Sequence, residues 1–153
     1  MVQSGSPIYR ILYRSFQTSS TSDTLGVVID QIMNTAIKNN YAVGITGLLL
    51  AAKGYFFQIL EGETREVCAA YARILEDPRH QELHILSQGF ARKRLFGEWN
   101  MCAANLTATD RSIVSALRSH ADFDPQRISA PNAERLLVAV ADHQRSAMPE
   151  AYI

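Results

Sequence analysis

The chain has 153 residues, 47% of them hydrophobic, and its 15 basic and 15 acidic side chains cancel. That length suits one domain with an appendage and supplies enough apolar material for a core. Balanced charge leaves no long-range field to favour nucleic acid or an anionic membrane, and no apolar run approaches the roughly 20 residues that span a bilayer. Cys68 and Cys102 match neither a metal spacing nor a disulfide framework, which points to a reduced, cytoplasmic setting. Residues 1–7 read as a short flexible N-terminus, without the apolar core of a signal peptide.

Ile8 to Tyr13 predicts a strand, with Tyr9, Ile11 and Tyr13 on one face and Arg10, Leu12 and Arg14 on the other. A polar loop, Gln17 to Asp23, leads to a helix from about Thr24 to Asn40, whose stripe is Leu25, Ile29, Ile32, Ala36 and Asn40. Asn39 and Asn40 either end that helix ahead of Gly44 or serve a site. Val43 to Leu60 predicts a hairpin broken at Lys53-Gly54. In its second arm Gln58 shares a face with Phe56 and Leu60, while Tyr55, Phe57 and Ile59 face the other way. Such an amide is either a satisfied core group or turned toward a polar ligand, because leaving it unpaired costs about 1–3 kcal/mol.

Glu61 to Thr64 predicts the turn into a second helix, about Thr64 to Glu76, with Thr64 as its N-cap and Asp77-Pro78 as its stop. Within it Cys68 reads as a buried small hydrophobe, and Arg73 as a snorkelling cation or a contact for an anion or carbonyl. Leu83 to Phe90 predicts a fourth strand, with Leu83, Ile85 and Ser87 alternating against His84, Leu86 and Gln88. Arg92-Lys93-Arg94 lies in a polar, solvated link, and Trp99 to Leu106 predicts a fifth strand. This order is the ferredoxin-like β-α-β-β-α-β arrangement, an α+β fold with two helices on one sheet face and one added strand. Residues 8–106 form this unit. Residues 107–153 form a helical extension, one helix carrying Ile113, Val114 and Leu117 and another Leu136, Leu137, Val140 and Ala141. The two helices are expected to cover the open sheet face or to meet a partner chain.

Conventional catalytic signals are missing: the sequence shows no Gly-rich phosphate loop, no serine elbow and no nucleophile–base pair. His80 and His84 are spaced i, i+4 but fall after Pro78 in a strand pattern, so no metal site is expected. One constellation remains. The first and third strands are central neighbours in such a sheet, so Tyr13 and Gln58 can meet beneath the helices, with Asn39 and Asn40 close by. A phenol and several amides suit a flat heterocycle with amide-like edges.

These residues sit in the motifs Tyr13-Arg14-Ser15, Asn39-Asn40, Gly44-Ile45-Thr46-Gly47-Leu48-Leu49, Phe57-Gln58-Ile59-Leu60-Glu61-Gly62, Asp77-Pro78-Arg79-His80 and Trp99-Asn100-Met101. Taken together they resemble the BLUF family, the flavin-binding sensors of blue light, over about residues 8–106. The resemblance implies FAD, or FMN or riboflavin, held between the two helices. Tyr13 matches the family's photoactive tyrosine and Gln58 its switching glutamine. Asn40 matches the residue that bonds the flavin's polar edge, with Asn39 beside it. Ile32, Lys38 and Arg73 fall at positions lining the ring or its tail, and Trp99 and Met101 match a pair linked to signal output. The implied mechanism is a switch: Tyr13 yields an electron, its proton follows through Gln58, and Gln58 ends rotated or in another tautomer.

The resemblance thus implies a photoreceptor, not an enzyme, that signals to a downstream protein from a homo-oligomer through its C-terminal helices. No second catalytic domain is expected. A flavin enzyme would need a substrate pocket and a nicotinamide site, which nothing in the sequence suggests. The remaining alternative is a ferredoxin-like module binding flavin or another metabolite without photoactivity; a colourless purified protein would favour it.

Overall fold

The computed structural model of the chain describes residues 7–17, 31, 38–52, 54–97, 102–106 and 126–147. Strand β1 (Ile8–Gln17) leads to a helix, α1, described over residues 38–43. Strands β2 (Thr46–Ala52) and β3 (Tyr55–Gly62) follow, then helix α2 (Thr64–Leu75), strands β4 (His80–Ala91) and β5 (Cys102–Leu106), and helix α3 (Ala130–Ala147). The sheet order is β4-β1-β3-β2-β5. Its first four strands pair antiparallel, the ferredoxin-like order expected, and β5 pairs parallel with β2.

Alternation on β1 and β3 divides the core in two. On one face Ile11, Tyr13, Ile45 and Leu60 pack with Val67 and Ala70 of α2. On the other, Leu12, Leu48, Leu50, Phe57 and Ile59 pack with Leu136, Leu137, Val140 and Ala141 of α3. The apolar stripe of α3 is therefore taken up by the sheet. The start of the first predicted helix, Ile32, the residues Trp99 and Met101, and the helix expected from Thr107 lie outside the described residues.

The hairpin turns as expected, with Ala52 opposite Tyr55 and Gly54 at φ +87°. Asn39 and Asn40 do not end α1. The helix runs to residue 43 and stops at Gly44, whose φ is +75°. The Gly44 amide donates to the Tyr41 carbonyl (3.4 Å) and the Ile45 amide to that of Asn40 (2.9 Å), a Schellman stop. Glycine does the stopping, and the Asn40 side chain is left for other work. β3 also passes close to this stop, since a Cβ on Gly62 would lie 3.2 Å from the Gly44 carbonyl oxygen.

Several local expectations are corrected. β3 continues through Glu61 and Gly62, where the sequence predicts a turn, because Glu61 pairs across to both Arg10 and Thr46. The N-cap of α2 is Glu63, not Thr64, and it makes no side-chain capping bond. Cys68 is exposed, since the buried stripe of α2 runs through Val67 and Ala70. β1 reaches Gln17 instead of ending at Tyr13, and β4 begins at His80 rather than Leu83. Two irregularities break the β1–β4 register, the second holding Glu82 at φ +54°. The first reverses the expected alternation: Gln88, not Ser87, lies opposite Ile11, and it accepts a 2.9 Å bond from the Tyr9 hydroxyl.

Candidate functional site

Tyr13 and Gln58 are direct cross-strand partners, with Ile85 beyond Tyr13 and Leu49 beyond Gln58. Directly opposed residues in an antiparallel ladder point to the same face, so this row forms a floor. Above it lies a cavity of about 160 Å³ lined by Tyr13, Leu49, Phe56, Gln58 and Leu60 of the sheet. Asn39 and Asn40 of α1, and Ala70, Arg73 and Ile74 of α2, complete its walls, with Asp77, Arg79 and His80 at one side.

The floor is buried and partly polar. Tyr13, Gln58 and Asn40 are 2%, 4% and 5% exposed. The Tyr13 hydroxyl donates to Gln58 Oε1. Burial pushes that hydroxyl well above the ordinary tyrosine value, with smaller contributions from Tyr71 and Asp77. Tyr13 therefore stays a neutral phenol. Its ring meets the edges of Tyr71 and His80 at centroid distances of 5.5 and 6.1 Å.

His80 is fixed at both nitrogens. Nδ1 lies 2.7 Å from the buried Ser15 hydroxyl and Nε2 2.8 Å from the Ile74 carbonyl. A carbonyl only accepts, so Nε2 carries a proton and donates it to this bond. His84 stands opposite Arg14 on β1. Asp77 receives Arg79 through its backbone amide (2.9 Å) and guanidinium (Nε to Oδ1, 2.8 Å). The Arg79 hydrogen bonds hold the Asp77 carboxyl below its ordinary value, and the same pairing raises Arg79.

Of the site residues expected from sequence, Tyr13, Gln58, Asn39, Asn40 and Arg73 line this one cavity. Lys38 is exposed on α1 and is not among its lining residues. Asp77, Arg79, His80 and Leu49 line it without having been assigned a place there. Leu49 was legible in the hairpin register, since it stands opposite Gln58. The other three stand together in the Asp77-Pro78-Arg79-His80 motif, and β4 begins at the last of them. Apolar walls and the buried amides of Gln58 and Asn40 fit a flat ring with carbonyl and N–H groups on one side, and Arg73 suits an anionic, polar tail. Among the described residues no group of three or more metal-type side chains gathers.

Comparison with known proteins adds to this geometry. Residues 8–102 match the model of a family described as sensors of blue light using FAD, BLUF. The chain is 32% identical over 92 residues to the photoactivated adenylate cyclase subunit alpha of Euglena gracilis, covering 60% of this chain but 9% of that protein. It is 34% identical over 86 residues to the blue light- and temperature-regulated antirepressor BluF of Escherichia coli K12, covering 56% and 21% respectively. It thus spans a small part of these relatives. The dark-state structure of BlrB, a BLUF protein, superposes with a TM-score of 0.71 at 27% identity, covering 90% of this chain and 98% of that one. The photo-activated state of BlsA gives 0.72 at 26% identity, with 85% and 91% covered.

Proposed function

This chain belongs to the BLUF family of blue-light sensors that bind flavin, and from that premise we propose that Tyr13 and Gln58 are its photoactive pair. The domain is a sensor and not an enzyme; the cyclase named among its relatives is matched over 9% of its length. In our reading Tyr13, Asn39, Asn40, Gln58 and Arg73 hold the flavin, with Ile32 and Lys38 at its margin. The observation that carries this reading is the Tyr13 hydroxyl bonded to Gln58 Oε1 at the floor of an apolar-walled cavity.

Bound flavin supplies blue-light absorption and, once excited, an oxidising power the polypeptide lacks. The protein supplies the rest. Tyr13, kept neutral by burial, gives up an electron only together with its hydroxyl proton, and the acceptor already in place for that proton is Gln58 Oε1. When both return, Gln58 has rotated or changed tautomer and its amide presents a new pattern of donors. A rearranged buried amide must carry its neighbours with it, since an orphaned group there costs about 1–3 kcal/mol. Asn40, in the last turn of α1, fixes the polar edge of the site, and Arg73 on α2 serves the tail.

Family members signal to effector domains or partner proteins. For this chain we assign residues 8–106 to light sensing and 107–153 to output, acting on a separate protein from a cytoplasmic homo-oligomer, with Trp99 and Met101 joining the two parts. Among the described residues no helix is long and apolar enough to cross a membrane. The test is an absorption spectrum before and after blue light, for the wild type and Tyr13→Phe. A flavin spectrum that shifts to the red and relaxes in darkness is expected, with the variant retaining flavin and showing no shift. A normal shift in the variant would overturn the role of Tyr13; a protein without flavin would overturn the reading as a whole.

A further inference from the structure

The β1–β3 ladder carries a second polar pair that light sensing does not use. Three residues along from Tyr13–Gln58, Arg10 stands opposite Glu61, on the other face of the sheet. The Glu61 side chain is fully buried, and its ion pair with Arg10 Nε measures 2.8 Å. Its remaining capacity goes to one connection, the chain between β4 and β5. The amide of Leu95 donates to Oε2 (2.7 Å) and that of Phe96 to Oε1 (2.8 Å).

The same connection is gripped at two further points. Arg10 Nη2 donates to the Lys93 carbonyl at 2.8 Å. Arg94 Nη1 reaches Thr46 Oγ1 (2.9 Å) and the Glu61 carbonyl (3.2 Å), so Arg94 is not part of a solvated turn. Phe96, 1% exposed, then enters the core beneath Leu136, Leu137 and Val140 of α3. One carboxylate thus links the strand that carries Gln58 to the packing under α3.

The geometry points to Glu61 as a positioning residue for output: it holds the 93–96 connection to β3, so that a change at Gln58 reaches Phe96 and α3. Gln58 and Glu61 lie about 10 Å apart along one extended strand, at roughly 3.3 Å per residue. A strand hydrogen-bonded on both sides moves as a unit. A carboxylate with two backbone amides and a guanidinium on it has no slack in which to lose that movement. Glu61 is not one of the residues lining the cavity, and its side chain lies on the opposite face of the sheet, so its role is separable from flavin binding. The inference rests on the photoreceptor reading above.

The experiment is amide exchange by mass spectrometry on the full flavin-loaded chain, dark and lit, for the wild type, Glu61→Gln and Arg94→Gln, with the red shift recorded on the same samples. In the wild type, light is expected to change exchange in peptides covering residues 92–97 and 130–142. Glu61→Gln keeps the red shift and loses that difference, because its amide NH2 must face a backbone N–H. Arg94→Gln leaves the carboxylate bonds in place and is expected to reduce the difference partly; it also serves where Glu61→Gln fails to fold. A wild-type difference in both variants overturns the coupling role. Equal loss of protection in dark and lit states, with the difference intact, makes Glu61 a structural anchor only and overturns it too. Absence of a red shift in the wild type would instead count against the photoreceptor reading.

Discussion

The two faces of the sheet are built from the same strands and do opposite things with polar groups. On the face of α1 and α2, Tyr13, Gln58 and Asn40 line a cavity. On the face of α3, Glu61 is fully buried and bonded to Arg10 and to the backbone of Leu95 and Phe96. A single residue step along β3 moves a side chain from one regime to the other: Phe56, Gln58 and Leu60 face the cavity, while Phe57 and Ile59 join the α3 core. Groups that line a cavity can exchange partners with a ligand; groups inside a packed core act as fixed connections.

If that division is right, substitutions on the two faces should fail differently. The largest loss of stability is expected on the filled face. Phe57→Ala should cost about 3–5 kcal/mol in urea unfolding, as truncation of a fully buried ring does. A cost below about 1 kcal/mol would show that this face is not the main core. On the cavity face, Tyr13→Phe should abolish the photocycle at a cost of only about 1–3 kcal/mol, the penalty for removing one partner of a buried bond.

Gly44→Ala tests the stop that frees Asn40. At φ +75° a side chain should cost about 1–2 kcal/mol, measured by thermal or urea unfolding. Nothing lies within 4 Å of the added Cβ, so a much larger cost would point to a clash that the geometry does not contain.

Titration sharpens the comparison from the cavity side. The folded chain holds the Tyr13 proton where the unfolded chain releases it, because burial raises the folded value. Stability from this group is complete below the ordinary tyrosine value of about 10 and declines as pH rises above it. Tyr13→Phe should flatten that part of the alkaline decline. The smallest effect is expected at Asp77, whose folded value is lowered, chiefly by hydrogen bonds from Arg79. Its contribution is present above the ordinary carboxylate value of about 4 and is lost as pH falls through the lower folded value. The pair is partly exposed, so Asp77→Asn should remove less than about 1 kcal/mol of acid-dependent stability.

Much of the fold could be read from the chain because it is written in local periodicity. Strict alternation assigned Tyr13 and Gln58 to one face and Leu12, Phe57 and Ile59 to the other, and Lys53-Gly54 marked the hairpin. The end of the first helix was legible only to within a few residues: Asn39 and Asn40 were candidates for it, and only the bonds from Gly44 and Ile45 moved the stop to Gly44. What escaped depends on partners far away along the chain. Glu61 read as a turn residue because a carboxylate next to glycine usually is one. Its burial rests on donors at Arg10, Leu95 and Phe96, 51, 34 and 35 residues distant. Arg94 read as solvated for the same reason, and His80 fell ahead of the predicted strand because the irregularity at Glu82 that extends β4 leaves no mark on hydrophobic pattern. Periodicity and backbone permissiveness are properties of short segments, so the sequence by itself determined the faces of β1 and β3, the hairpin and the family motifs. Satisfaction of buried polar groups is a property of the assembled molecule, so only the tertiary structure decided which charges go inside, which loop they hold, and what meets across the site.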